Sequence, residues 1–126
     1  MPIIQIKALP FAQKPNMTNV LEQLTTDFET SLGIGREQIN IVWQWIEPNH
    51  YAAKGVVAAQ QAHDSHPLLV EIIAPDFSKK TKIAQMLICV VNSLAASTGL
   101  PRENVYAMFR EIHTGCSYHR GEIVKW

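Results

Sequence analysis

The sequence predicts an α+β fold in which two tandem β-α-β repeats form one four-stranded mixed sheet with two helices on one face. Three observations carry that prediction: an internal repeat, a switch from period-two to period-3.6 apolar patterning inside each copy, and glycines at matching helix ends. Slid against itself by 66 residues without gaps, the stretch 3–46 matches 69–112 at ten positions, among them Ile6/Ile72, Phe11/Phe77, Gly33/Gly99, Arg36/Arg102 and Glu37/Glu103. Other pairs keep their apolar character, as in Ile4/Val70, Leu24/Val90 and Ile39/Val105. Two copies of one supersecondary unit explain this most simply.

Each copy reads strand, helix, strand. The first strand runs from Ile3 to Leu9 and is closed by Pro10; its counterpart runs from Leu68 to Ala74 and is closed by Pro75. Asn16 is a natural N-cap for a helix that carries Val20, Leu21, Leu24, Phe28 and Leu32 on one face. Ser78 is the expected cap of the second helix, whose Ile83, Met86, Leu87, Val90, Val91 and Leu94 recur at spacings of three and four. Gly33 and Gly99 stand where a helix end needs a residue free to take positive φ. Return strands are expected over Gln38–Ile46 and Asn104–Ile112, each parallel to the strand that opens its copy.

Strand parity assigns the faces. Ile4, Ile6, Ile39, Ile41, Trp43, Val70, Ile72, Val105, Ala107 and Phe109 share one parity and should meet the helices. The other parity presents Gln5, Lys7, Asn40, Val42, Gln44, Leu69, Glu71, Tyr106, Met108 and Arg110. That mixture is too apolar for a wet surface and too polar for a dry core, as suits a subunit interface or the lining of a site. An open sheet with one solvated face is the plainer alternative.

The whole is expected to be a single domain over 1–126: repeat 1 at 2–46, a connecting loop at 47–66, repeat 2 at 67–112, and an extension at 113–126. The loop is longer than ordinary connections and either is functional or holds a short hairpin of its own. Thr114–Arg120 is turn-rich, and Gly121–Trp126 can form a last short strand; loop and extension are both expected to reach toward neighbouring subunits.

Eleven basic and eleven acidic residues cancel, which removes the basic stripe expected of a nucleic-acid binder. With neither a secretory pattern at the start nor an apolar run long enough to span a bilayer, a soluble, cytoplasmic protein without nucleic-acid or membrane partners is expected. Cys89 and Cys116 make no disulfide framework and read as free thiols. Five histidines, at 50, 63, 66, 113 and 119, follow no zinc spacing and read as surface residues, so no metal is expected. Trp43, Trp45 and Trp126 read as core or subunit contacts.

Pro2 is the candidate for chemistry. If Met1 is trimmed, Pro2 becomes a secondary amine at the head of an apolar strand, and burial disfavours its ammonium form, which makes it a candidate base near neutral pH. With Met1 retained, the nitrogen is an amide and no base. Tyr106 or Arg110 can supply a donor to the enolate oxygen that such a base would create. Lys7 either acts on the amine as a neighbouring cation or pairs with Glu71 across the sheet, the pairing being favoured. Lys79, Lys80 and Lys82 crowd the start of the second helix, where they either solvate a helix end, the favoured reading, or capture an anion.

Two tandem strand-helix-strand units, a proline directly after Met1 and a strand of the form Pro-Ile-x-Gln-Ile together resemble the tautomerase superfamily, which includes 4-oxalocrotonate tautomerase and macrophage migration inhibitory factor. The resemblance implies a homotrimer, an N-terminal proline as general base, small enol or α-keto acid substrates, and no metal or organic cofactor. Pro2 matches the catalytic proline. Tyr106 falls where the inhibitory-factor branch has a tyrosine on its return strand, and Tyr51, ahead of Gly55, resembles an aromatic that walls the proline pocket. Ala12 and Asn40 stand where 4-oxalocrotonate tautomerase has its substrate-binding arginines, and Ile34 where the other branch has a lysine. Catalysis is thus expected at Pro2 and substrate binding at Tyr106, Tyr51, Arg110, Asn40 and Lys7. The alternatives are a catalytically inactive trimeric scaffold of the same fold, and a hydratase or dehalogenase in which a cationic proline activates an unsaturated acid.

Overall fold

A computed structural model describes residues 2–126. Met1, and with it the expectation that it is removed, lies outside the described residues. Strand β1 (Ile3–Ala8) leads to helix α1 (Met17–Leu32), a single 3-10 turn (Arg36–Gln38) and strand β2 (Asn40–Trp45). A two-residue hairpin, β3 (Ala52–Ala53) and β4 (Val56–Val57), occupies the connection to β5 (Leu68–Pro75). Helix α2 (Lys80–Thr98), a second 3-10 turn (Arg102–Asn104) and β6 (Val105–Ile112) complete the second copy, and a small hairpin, β7 (Tyr118–His119) with β8 (Glu122–Ile123), follows.

The main sheet has the order β2-β1-β5-β6. Each copy pairs its own two strands in parallel, as a crossover unit must, and the copies join through antiparallel β1 and β5. The predicted mixed sheet with two tandem units is therefore the observed one. Ile4, Ile6, Val70 and Ile72 are buried under the helices against Val20, Leu24 and Phe28 of α1 and Met86, Val90 and Leu94 of α2. Full burial of each such side chain contributes roughly 1.5–3 kcal/mol, so these few rows hold the sheet to the helices. The opposite face is open in the single chain, with Val42, Tyr106 and Met108 exposed.

Local chemistry sets the element ends. Asn16 Oδ1 accepts the Asn19 amide at 3.1 Å, so α1 begins where the cap was expected. Gly33 and Gly99 end their helices at φ 68° and 80°, in the left-handed region open to a residue without Cβ. Ser78 does not cap α2: the helix starts at Lys80 behind Lys79, with no side-chain cap bond, and Ser78 stands one residue too early to reach the first free amides. Both return strands start later than the pattern suggests, because a tight turn at Arg36–Gln38 or Arg102–Asn104 first reverses the chain.

Candidate active site

Pro2 is buried, and its carbonyl accepts the Asn40 amide at 3.1 Å, which fixes the entry of β1 against β2. A cleft of about 340 Å³ opens beside it. Its apolar walls are Ile34, Ala74, Pro75, Phe77 and Met86; its polar members are Gln38, Ser78, Lys79 and Lys82. Ile34 and Gln38 come from the α1–β2 connection and the rest from β5 and the entry of α2, so both repeats are needed to form one cleft. Lys82 donates its ammonium to the carbonyl of Leu32, the last residue of α1. A cation there complements the negative end of the helix and is held at the cleft.

The corresponding position in the other repeat is stoppered. Shifting by 66 residues carries Pro2 to Leu68, Ile34 to Leu100 and Gln38 to Asn104, and all three counterparts are buried. Asn104 Nδ2 donates to the carbonyls of Ala62 (2.8 Å) and Ser65 (2.9 Å), and the Gln61 amide donates to the Pro10 carbonyl at 2.8 Å. Residues 61–66 of the central loop are thereby laid over the second hollow. His66, at 4% exposure, has Nε2 2.7 Å from the Val56 carbonyl and Nδ1 3.0 Å from Ser65 Oγ. It is a buried brace of the β3–β4 hairpin and not the surface histidine its spacing suggested. The loop does contain a hairpin of its own, as one of the two expectations had it.

Of the sequence-derived site residues, the structure brings only Pro2 to the cleft. The sheet register aligns Asn40, Ile3, Ile73 and Arg110 in one row at the Pro2 end, and Gln44, Lys7, Leu69 and Tyr106 in another. Asn40 and Arg110 are thus level with Pro2 but on the open face, away from the helices. Lys7 lies at the far end of β1, about 17 Å along the strand by its rise per residue, too far within one chain to act on the Pro2 nitrogen. Nor is the favoured Lys7–Glu71 pair formed: Lys7 faces Leu69, and Glu71 takes Arg110 at 2.8 Å. Both cations are diagonal neighbours of Glu71, which faces Gln5 on β1 and Met108 on β6, and it is the longer Arg110 side chain that takes the carboxylate. Tyr106 is 55% exposed at the β6 edge. Tyr51 donates its hydroxyl to the Pro67 carbonyl at 2.9 Å and packs on His66, with burial raising its phenol above the usual range.

Sequence reasoning missed Gln38, Phe77 and Met86, and it favoured a solvated helix end for Lys79 and Lys82. The signal was present in the i, i+3 spacing, which puts 79 and 82 on one side of the entry to α2. Below the cleft rim, His113 Nδ1 meets Asp76 Oδ2 at 2.7 Å, which lowers the Asp76 carboxyl and raises His113. Both cysteines are free, with burial raising the Cys89 thiol. Among the described residues no three His, Cys, Asp or Glu side chains are grouped to hold a metal ion, and no helix is long and apolar enough to cross a membrane.

The fold and cleft define a class: paired β-α-β units with a buried proline heading the first strand. Probable tautomerases of Staphylococcus aureus are 31% identical to the chain over 61 residues, which is the whole of those proteins and 48% of this one. A probable tautomerase of Staphylococcus haemolyticus is 32% identical over 56 residues, 90% of its length and 44% of this chain. The chain belongs to the tautomerase superfamily. No family model matches it. Among solved structures, wild-type fused 4-OT in a symmetric trimer superposes with a TM-score of 0.81 at 15% identity, over 97% of this chain and 94% of that one. Fused 4-OT in an asymmetric trimer gives 0.82 at 12% identity over 96% and 94%. A member of the cis-3-chloroacrylic acid dehalogenase family gives 0.70 at 16% identity over 97% and 82%. At such identities these likenesses speak for the fold.

Proposed function

We propose that the protein is a cofactor-independent tautomerase or isomerase of small enol or α-keto acids, with Pro2 as general base once Met1 is removed. The observation that supports this best is a buried proline in one cleft with two lysines. The freed ring nitrogen takes a proton from the enol oxygen or the α-carbon and returns it to the other end of the enolate, so no group is lost and no electron changes hands. Burial and the two neighbouring cations disfavour its protonated form, which leaves it ready to accept. Lys79 and Lys82 hold the substrate carboxylate, a task that the departures at Ala12, Asn40 and Ile34 leave open, and Gln38 offers an amide donor to the enolate oxygen.

The working unit is a homotrimer. The fused 4-OT trimers support it, as does the open sheet face with its exposed Val42, Tyr106 and Met108. Assembly would cover that face and set Tyr106, Tyr51, Arg110, Asn40 and Lys7 against neighbouring chains, where they can complete a site that one chain leaves without them. Two free thiols suit a cytoplasmic setting.

Intact mass of protein made without added N-terminal residues should show loss of Met1. Phenylpyruvate tautomerisation should fall at least about a hundredfold in Pro2→Ala, the upper part of what a positioned base contributes. In Lys82→Met, KM should rise about tenfold, as expected for losing a charge-assisted hydrogen bond. Equal rates in wild type and Pro2→Ala would leave the inactive scaffold as the better reading.

A further inference from the structure

Trp126 lies far along the sequence from the cleft but is fastened to its wall. Its indole Nε1 donates to Asp76 Oδ1 at 2.8 Å, its amide donates to Thr114 Oγ1 at 2.8 Å, and its ring meets Phe77 edge-on, with centroids 5.9 Å apart at 84°. The other Asp76 oxygen is taken by His113, and the Asp76 amide donates to the Ile112 carbonyl at 3.1 Å. Asp76 and Phe77 sit between Pro75 and Ser78, both of which line the cleft.

The first repeat shows what this arrangement replaces. There Phe11 packs edge-on against Trp45, with centroids 6.0 Å apart at 79°. The counterpart of Phe11 is Phe77, but the counterpart of Trp45 is Glu111, which offers no ring. Trp126 restores the same edge-on contact from a segment that lies outside the repeat. Phe77 is nonetheless 67% exposed, so little else holds its rotamer. A wall residue fixed before the ligand arrives spares the ligand the cost of ordering it.

We propose that Trp126 and Asp76 are positioning residues that fix Phe77 as the specificity-determining wall for the apolar part of the substrate. The proposal rests on the Pro2-centred reading of the cleft. Within the chain, His113 and Trp126, at the two ends of segment 113–126, fold back onto Asp76 and Phe77 to perform this task.

The test uses the full chain with Trp126→Ala, Trp126→Phe and Asp76→Ala, read by phenylpyruvate kinetics and by calorimetric binding of 3-phenylpropanoate, an unreactive probe with the same ring and carboxylate. Trp126→Ala and Asp76→Ala should raise KM and the probe's Kd about three- to tenfold, the range of one lost aromatic contact, while kcat stays within about twofold. Trp126→Phe keeps a ring against Phe77 and should fall between them and wild type. A merely structural role would instead lower the active fraction, and so kcat, and leave KM alone. Wild-type KM and Kd in Trp126→Ala, or no probe binding by the wild type, overturns the proposal. Turnover that depends on Pro2 with a KM indifferent to Trp126 refutes the clamp alone. Probe binding that depends on Trp126 with turnover indifferent to Pro2 supports the clamp and refutes the base.

Discussion

Replacing Asn104 by alanine should loosen the stopper over the second hollow. The native side chain, 4% exposed, gives two hydrogen bonds, to the Ala62 carbonyl at 2.8 Å and the Ser65 carbonyl at 2.9 Å. Ala62 keeps a second partner, since Gln61 Nε2 donates to it at 3.0 Å, but among the described residues no other side-chain donor reaches the Ser65 carbonyl. Two lost bonds at about 1 kcal/mol each, plus about 1–2 kcal/mol for a carbonyl left partnerless in a half-buried place, give about 3–4 kcal/mol. Urea unfolding should therefore show a lower midpoint at unchanged slope, and limited proteolysis should cut within residues 47–66 faster than in the wild type. Asn104→Asp should cost at least as much, because it sets a carboxylate against two carbonyl oxygens. A midpoint loss worth less than about 0.5 kcal/mol, the usual size of a neutral surface change, together with unchanged cutting, would show that Asn104 does not hold the loop.

Asn16→Ala removes the acceptor for the Asn19 amide and should lower stability by about 1 kcal/mol in the same unfolding assay, with far-UV circular dichroism barely changed. Phe28→Ala empties a fully buried place between α1 and the sheet and should cost about 3–5 kcal/mol. The His113–Asp76 pair should depend on pH at both ends. His113 is raised by its hydrogen bond to Asp76 and by the charges of Asp76 and Glu111, so its contribution is complete below the ordinary imidazole value and is lost as pH rises through its raised one. Asp76 is lowered by its bonds from His113 and Trp126, so its contribution is present above the ordinary carboxyl value and is lost as pH falls through its depressed one. An NMR titration of His113 should move toward the free imidazole value in Asp76→Ala; an unmoved midpoint would refute the coupling.

The sheet could be read from sequence because its periodicities are local and the repeat checks each one twice. Ile4 and Val70, or Gly33 and Gly99, answer the same steric demand in both copies, and each pair predicts the other. The place of Pro2 beside the cleft could be read because it follows from its position at the head of a strand. The cleft walls were harder. Phe77 and Phe11 are the same letter in aligned positions and each meets a tryptophan edge-on, yet Phe77 rims an open cleft while Phe11 also packs on Trp43 and the core. Gln38 and Asn104 likewise share a turn, and only the central loop determines that one amide faces the cleft while the other is buried. The Lys7–Glu71 pair failed for a related reason: Glu71 has a cation diagonally placed on each neighbouring strand, Lys7 on β1 and Arg110 on β6, and composition does not say which of the two reaches it.

Because the opposing sides of the cleft are drawn from separate stretches of one polypeptide, each residue there occurs once per opening. Two identical half-length chains pressed together would have to duplicate any change at Ile34 or Met86 in the rotationally related opening as well. Here the positions that correspond to them serve the interior instead. Selection can thus reshape one side for a new ligand without disturbing its opposite number, and the sealed half is left free to specialise in keeping the molecule folded.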